Sequence, residues 1–226
     1  MKHTFTGSGP GRQTPDGCSV ELYRALPYMG ELVDVASLLQ AGHSALDLGC
    51  GSGRLAAELH RLGLRVSGVD ESPDMLALLP PGIEPIQSSI ESLRLNRTFD
   101  VVLLASHLIN HPDQGTRRLF AECSRRHLEP GGRLLLQRQN PHWLATAEPG
   151  TVGRAGPILV AVEDVSRHSI FVEIRLCYES IGQAWHQSFS AATLSEQDIE
   201  AILLHAGFGH VSWHGSARLW ASAIAR

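Results

Sequence analysis

The stretch Ala45-Leu46-Asp47-Leu48-Gly49-Cys50-Gly51-Ser52-Gly53 constrains this chain more than any other. A short apolar run closed by glycines reads as a buried strand, Ser44–Leu48, that stops in a tight turn. The segment Ser52–Leu62 that follows carries Leu55, Leu59 and Leu62 at helical spacing, so these would face a sheet. Strand, glycine turn and helix in that order belong to a parallel α/β layout.

Gly49, Gly51 and Gly53 in the turn allow positive φ and let a ligand approach the backbone closely. The helix start beyond them offers free N–H groups. The second strand, Arg65–Asp70, ends in a carboxylate. Ligands of open α/β sheets bind at the carboxyl ends of strands, and Asp70 there can accept two ribose hydroxyls. Two cofactor classes compete for such a site. Gly51-Ser52-Gly53-Arg54-Leu55-Ala56 fits the permissive dinucleotide pattern G-x-G-x-x-G/A. Asp47 points the other way: a carboxylate at the strand end repels a pyrophosphate and suits an ammonium or sulfonium cation.

The order Asp47-x-Gly49-x-Gly51-x-Gly53, followed by Gly68-Val69-Asp70-Glu71-Ser72-Pro73-Asp74-Met75-Leu76, resembles the class I S-adenosylmethionine-dependent methyltransferases. Leu128-Glu129-Pro130-Gly131-Gly132 and Ala206-Gly207-Phe208 are further marks of that family. The resemblance runs from about residue 19 to 137 and returns near the C-terminus. It implies a Rossmann-like, seven-stranded, doubly wound sheet, S-adenosylmethionine as methyl donor and S-adenosylhomocysteine as product. It places cofactor contacts at Tyr23, Asp47, Gly49, Cys50, Gly51, Asp70, Glu71, Met75, Ser89, Ile90, Ala105 and Ser106. Ser89 stands where the family usually carries an acidic residue for the adenine amino group.

The remaining elements follow in order. Residues 1–17, rich in Gly, Pro, Thr and Ser, read as a flexible arm, and one methyltransferase domain is expected over 18–226. Ser19–Leu39 holds one or two short helices, with Tyr23 and Tyr28 as candidates for a lid over cofactor and substrate. Ser72 N-caps a helix that Pro80-Pro81-Gly82 ends, and Ile83–Gln87 is the third strand. Phe99–Leu104 is a nearly continuous apolar strand and so buried on both faces. The loop after it, Ala105 to Pro112, holds His107, Asn110 and His111; a neutral histidine there can accept a proton. Asp113–Leu128 is a helix, and Arg133–Gln137 the fifth strand. Beyond it, Arg138, His142 and Trp143 join Tyr28, His107 and Asn110 as substrate-pocket candidates. Residues of about 151–192 alternate polar and apolar, which predicts a small antiparallel insertion roofing the substrate site. Thr193-Leu194-Ser195-Glu196 opens the last helix with a capping box, and two strands close the chain.

The chain has 226 residues and a net charge of -4, without a basic run beyond Arg117-Arg118 and Arg125-Arg126, so a nucleic-acid partner is not expected. The Asn/Asp-Pro-Pro-aromatic motif of amino-methylating enzymes that act on nucleic acids or proteins is absent as well. Four scattered cysteines, no signal-like or membrane-spanning run and no carboxylate cluster predict a cytoplasmic, metal-free protein. The expected activity is methylation of a small molecule, for instance in secondary metabolism, at an amine or ring nitrogen. O-methylation is the alternative within the family. An NAD-dependent oxidoreductase and a non-catalytic cofactor binder are the alternatives outside it.

Overall fold

The computed structural model describes residues 5–226. In chain order its elements are β1 (Thr6–Ser8), α1 (Val20–Ala25), β2 (Ser44–Leu48), α2 (Arg54–Arg61), β3 (Arg65–Asp70), α3 (Pro73–Leu76), β4 (Glu84–Gln87), β5 (Phe99–Leu104) and α4 (Gln114–Arg126). There follow β6 (Leu128–Gln137), α5 (Pro141–Thr146), β7 (Val152–Ala155), β8 (Ile158–Arg167), β9 (Phe171–Ser180), β10 (Gln183–Ala192), α6 (Glu196–His205), β11 (Phe208–His214) and β12 (Trp220–Ala225). They fall into two compact units: residues up to Met29 with Pro141–Thr193, and Gly30–Asn140 with Leu194–Arg226. Among the described residues no helix is long and apolar enough to cross a membrane.

The larger unit is built on a seven-stranded sheet of order β11-β12-β6-β5-β2-β3-β4, as the sequence predicts. β2 pairs in parallel with β3 on one side and with β5 on the other. The chain therefore winds outward through β3 and β4, returns, and winds outward again through β5 and β6. The reversal falls between the neighbouring strands β2 and β5, so their carboxyl ends form the topological switch point where ligands of such sheets bind. β12 closes antiparallel against β6, and β11 against β12. The central strands are apolar on both faces because helices cover both: Ala45, Leu46, Leu48, Val102, Leu103 and Leu104 are at most 1% exposed.

Helix boundaries follow local chemistry. Gly53, at φ +85°, stands at the N-cap of α2, which buries Leu55, Ala56 and Leu59. Asp113 caps α4 by accepting from the Thr116 N–H at 2.7 Å. Ser195 and Asp198 form a reciprocal capping box on α6. The helix after Ser72 is shorter than its apolar pattern suggests and stops at Leu76, ahead of Pro80-Pro81.

The smaller unit is an all-antiparallel sheet of order β1-β10-β9-β8-β7. Val162, Val172, Ile174, Leu176 and Ala191 line one face and bury Leu144 of α5. The structure differs here from the expectation of a flexible arm over residues 1–17. Residues 1–4 lie outside the described residues, but Thr6–Ser8 pair with Ser188–His186 of β10. α1 adds Leu22 to a cluster with Ile158 and Trp185, whose indole N–H donates to the Pro10 carbonyl. Cross-strand pairing and an apolar anchor thus order a segment whose composition reads as unstructured. The unit is accordingly larger than the insertion expected at 151–192 and includes α5.

His127, at the end of α4, pins the larger unit from inside. It is fully buried; Nδ1 donates to the Cys123 carbonyl at 2.8 Å and Nε2 accepts from the Leu95 N–H at 3.1 Å. Burial holds its pKa below the ordinary histidine value. A depressed histidine leaves stability intact above the unfolded pKa of about 6.5, and stability is lost as pH falls below it. In urea unfolding between pH 7.5 and 5, the expected loss of stability is smaller for His127→Gln than for wild type. Equal losses would remove His127 from this role.

Candidate functional site

The site is assembled where β2 and β3 end. Gly49, Gly51 and Gly53 take φ of +68°, +55° and +85°, so the turn alternates through the left-handed region that side chains disfavour. Space makes the same demand at Gly49, where a Cβ would stand 2.7 Å from the Leu108 side chain. The turn is sewn to β3 by the Cys50 N–H, which donates to the Val69 carbonyl at 2.9 Å. The Cys50 thiol lies over Gly68, where a Cβ would come within 2.8 Å of the sulfur. Glycine at 68 admits that thiol, a pairing that the sequence alone does not reveal.

Asp70 closes the arrangement. Oδ2 accepts from the Gly51 N–H at 2.8 Å and Oδ1 from the Ser72 N–H at 2.9 Å. One carboxylate thereby locks the glycine turn and the entry to α3. Asp47 is in the opposite condition. It is 2% exposed, and its Oδ2 has no hydrogen-bond partner among the described residues. Burial, and then the neighbouring charge of Asp70, push its pKa up to about 7. A buried, unpaired carboxylate is costly unless a cation or donor completes it. The pair fits a ligand with a cationic end for Asp47 and a diol for Asp70, and it disfavours a pyrophosphate.

Met75 and Ala105 are buried and Glu71 is exposed. Ile90 is buried, with its side chain 3.7 Å from a Cβ built at Gly49. Ser89 Oγ accepts from the Ser92 N–H and shares a 2.6 Å hydrogen bond with the Ser92 hydroxyl.

The loop after β5 is the second component. Ser106 and His107 both adopt positive φ, +52° and +63°. Such strain costs about 1–3 kcal/mol per residue and persists only where the surroundings enforce it. Gln137 and Gln139, which leave β6, do the enforcing. The Ser106 N–H donates to Gln137 Oε1 at 3.1 Å, and Asn110 Oδ1 accepts from the Gln139 N–H at 2.7 Å. Gln137 escapes sequence reasoning because its partner is a backbone N–H in a distant loop. The His107 ring bonds the Arg138 backbone, while Nδ1 is buried and has no partner among the described residues. Burial, with the Arg54 cation adding to it, lowers its pKa to about 4, so the imidazole is neutral at physiological pH.

Other candidates are occupied locally. His111 Nδ1 accepts from the Asp113 N–H at 3.1 Å, next to the α4 cap. Arg138 donates to Glu196 Oε1 and to the Arg218 carbonyl, and its guanidinium lies 4.5 Å from the Trp213 ring centre. Its bonds tie the end of β6 to α6. Tyr23, Tyr28, His142 and Trp143 belong to the smaller unit. There the Tyr23 hydroxyl is 3.3 Å from Cys18 Sγ, and Trp143 packs on the cluster around Leu144.

Residues 45–132 match a family model described as a methyltransferase domain. A mitochondrial ubiquinone biosynthesis O-methyltransferase of Schizosaccharomyces pombe is 36% identical over 106 residues, covering 42% of this chain and 38% of that protein. The chain thus spans less than half the length of that relative. Among solved structures, a sugar N-methyltransferase from a Streptoalloteichus species superposes with a TM-score of 0.72 at 20% identity, covering 100% of both chains. The amino pentose methyltransferase CalS10 from Micromonospora echinaspora, solved with S-adenosylmethionine bound, gives a TM-score of 0.67 at 24% identity, covering 91% of this chain and 94% of that one. The fold is that of S-adenosylmethionine-dependent methyltransferases.

Two outcomes are expected of the site. Asp70→Ala should weaken S-adenosylhomocysteine binding by about 2 kcal/mol, the scale of a lost charge-assisted hydrogen bond, in calorimetric titration. Unchanged affinity would refute its ribose role. Because a cationic ligand binds the ionised form of Asp47, affinity should rise between pH 5.5 and 7.5 and level off above the Asp47 value of about 7. Asp47→Asn should flatten that rise, and an undiminished rise would assign the pH dependence to another group.

Proposed function

We propose that this chain is a class I S-adenosylmethionine-dependent methyltransferase whose glycine turn holds the cofactor, and that it methylates a nitrogen of a small molecule. The observation that carries the reading is the pairing of Asp70, locked onto the glycine turn, with Asp47, buried and short of a partner.

S-adenosylmethionine, when bound, supplies an activated methyl group on a sulfonium. The residues present suit it. Asp47 would face the cationic amino acid end, Asp70 would take the ribose hydroxyls, and the left-handed glycines would leave room for the ligand beside the backbone. Methyl transfer then needs an acceptor lone pair held in line with water excluded.

The choice of nitrogen rests on the loop after β5. A histidine with a pKa of about 4 is a feeble base at neutral pH. It serves better as an acceptor that orients an amine N–H through Nδ1 than as the group that ionises a phenol. An amine reaching the site in its free-base form brings its own lone pair and needs no strong base. The amino sugar enzymes among the similar folds support this reading. The O-methyltransferase named among the sequence relatives favours the oxygen reading, so the test includes both. No metal is assigned to the transfer, since the acceptor lone pair requires no Lewis acid.

Purified protein would be incubated with methyl-labelled S-adenosylmethionine and a panel of amino sugars, other small amines and phenols, and products mapped by mass spectrometry. N-methyl products are expected; exclusive O-methylation would overturn the nitrogen assignment. His107→Ala should lower kcat by on the order of tenfold, below the roughly hundredfold or more of a true general base because the imidazole only orients the acceptor, with S-adenosylhomocysteine affinity unchanged. Equal loss of turnover and cofactor affinity would make His107 structural.

A further inference from the structure

The smaller unit holds a side-chain cluster that the proposed methyl transfer does not use. Cys177 of β9 and His186 of β10 are directly paired across the two strands, so their side chains share a face of the sheet. That face is the reverse of the one formed by Val162, Ile174 and Leu176. Glu163 lies on it as well, two residues beyond Ala161, which pairs with Cys177, and sits at an irregularity in β8. Val162 pairs with Leu176 and Asp164 with Arg175, leaving Glu163 as an extra residue between them. A bulge of this kind places two successive side chains on the same side. Without it, strict alternation would let only one of Glu163 and Asp164 share the face of Cys177.

The result is a mixed donor set. One ligand atom each from Glu163, Cys177 and His186 lies within 4.8 Å of the others. His186 Nδ1 is 2.9 Å from Glu163 Oε2, and Glu179 Oε1 is 3.8 Å from the Cys177 sulfur. Cys177 is 6% exposed, whereas His186 and Glu163 side chains are about one third exposed, so a solvated ion has a path in. Thiolate, imidazole and carboxylate together select zinc-like ions over magnesium or calcium. Metal–ligand bonds of about 2.0–2.3 Å put tetrahedral ligand atoms about 3.3–3.8 Å apart, within reach of small side-chain rotations.

We propose that Cys177, His186 and Glu163 form a site for a single thiophilic divalent cation of the zinc type, with Glu179 or water in the fourth position. The ion would clamp β8, β9 and β10 together at the bulge. Burial and the two carboxylates hold the thiol above its ordinary pKa, so coordination displaces its proton to solvent. Arg175 is the competitor: its Nε donates to Glu163 Oε2 at 2.7 Å, and this half-exposed side chain must swing outward to release the carboxylate.

The test titrates chelator-stripped full-length protein with zinc chloride by calorimetry, and with cobalt chloride by absorption. One equivalent of zinc is expected to bind, to raise the melting temperature, and, as cobalt, to give a thiolate charge-transfer band. Cys177→Ser should abolish the band, and it and His186→Gln should each weaken zinc binding by at least about tenfold. Arg175→Gln, which removes no ligand, should shift binding to higher affinity. Cys18→Ser should change nothing. Absence of stoichiometric zinc binding in the wild type, or a charge-transfer band that survives in Cys177→Ser, would overturn the proposal. Should Cys177→Ser not fold, the direction of the Arg175→Gln shift decides.

Discussion

Everything at the cofactor end of this molecule depends on where the Asp70 carboxylate spends its two oxygens. One holds the Gly51 N–H and the other the Ser72 N–H, so a single side chain joins the turn after β2 to the turn after β3. The first turn leaves the sheet at its switch point and the second beside it, and neither is regular structure that could hold itself. The left-handed glycines give the first turn its path, and Ser72 caps the short helix beyond the second. Charge-assisted bonds to backbone N–H groups are stronger than neutral ones, which lets one residue carry this much geometry.

Asp47 balances Asp70 electrostatically. The two carboxylates stand at the ends of neighbouring strands, and the less solvated one carries the cost. Its unpartnered oxygen is a defect in an isolated protein and an asset once a cation arrives. The strained Ser106–His107 segment at the adjacent strand end repeats the pattern. It too holds a buried acceptor, His107 Nδ1, without a partner. Sites that bind and react are expected to concentrate such unsatisfied groups, because the ligand completes them.

What could be read from sequence follows what is local. β2, β3 and β5 were legible because their apolar runs are contiguous, and Asp47 and Asp70 because they sit at strand ends within a recognisable turn. The antiparallel strands β8, β9 and β10 were legible from alternation, although their bulge was not, since one extra residue only matters against a partner strand. β1 was hidden because its pairing with β10 lies far away in the chain and its composition is that of a linker. Gln137 was hidden because its role is to satisfy one N–H in another loop. His111 and Arg138 attracted notice by residue type, yet their polar atoms go to a helix entry and an ion-paired corner, which no spacing rule reveals.

The central claim is that this turn binds an adenosyl sulfur cofactor and not a dinucleotide. The most direct test is calorimetric titration of the purified protein with S-adenosylhomocysteine and, separately, NADH, with Asp70→Ala run beside it. Saturable one-to-one binding of S-adenosylhomocysteine that weakens in the variant is expected, with no heat of binding for NADH. Binding of NADH alone would contradict it and turn the same glycines and carboxylate into a dinucleotide site.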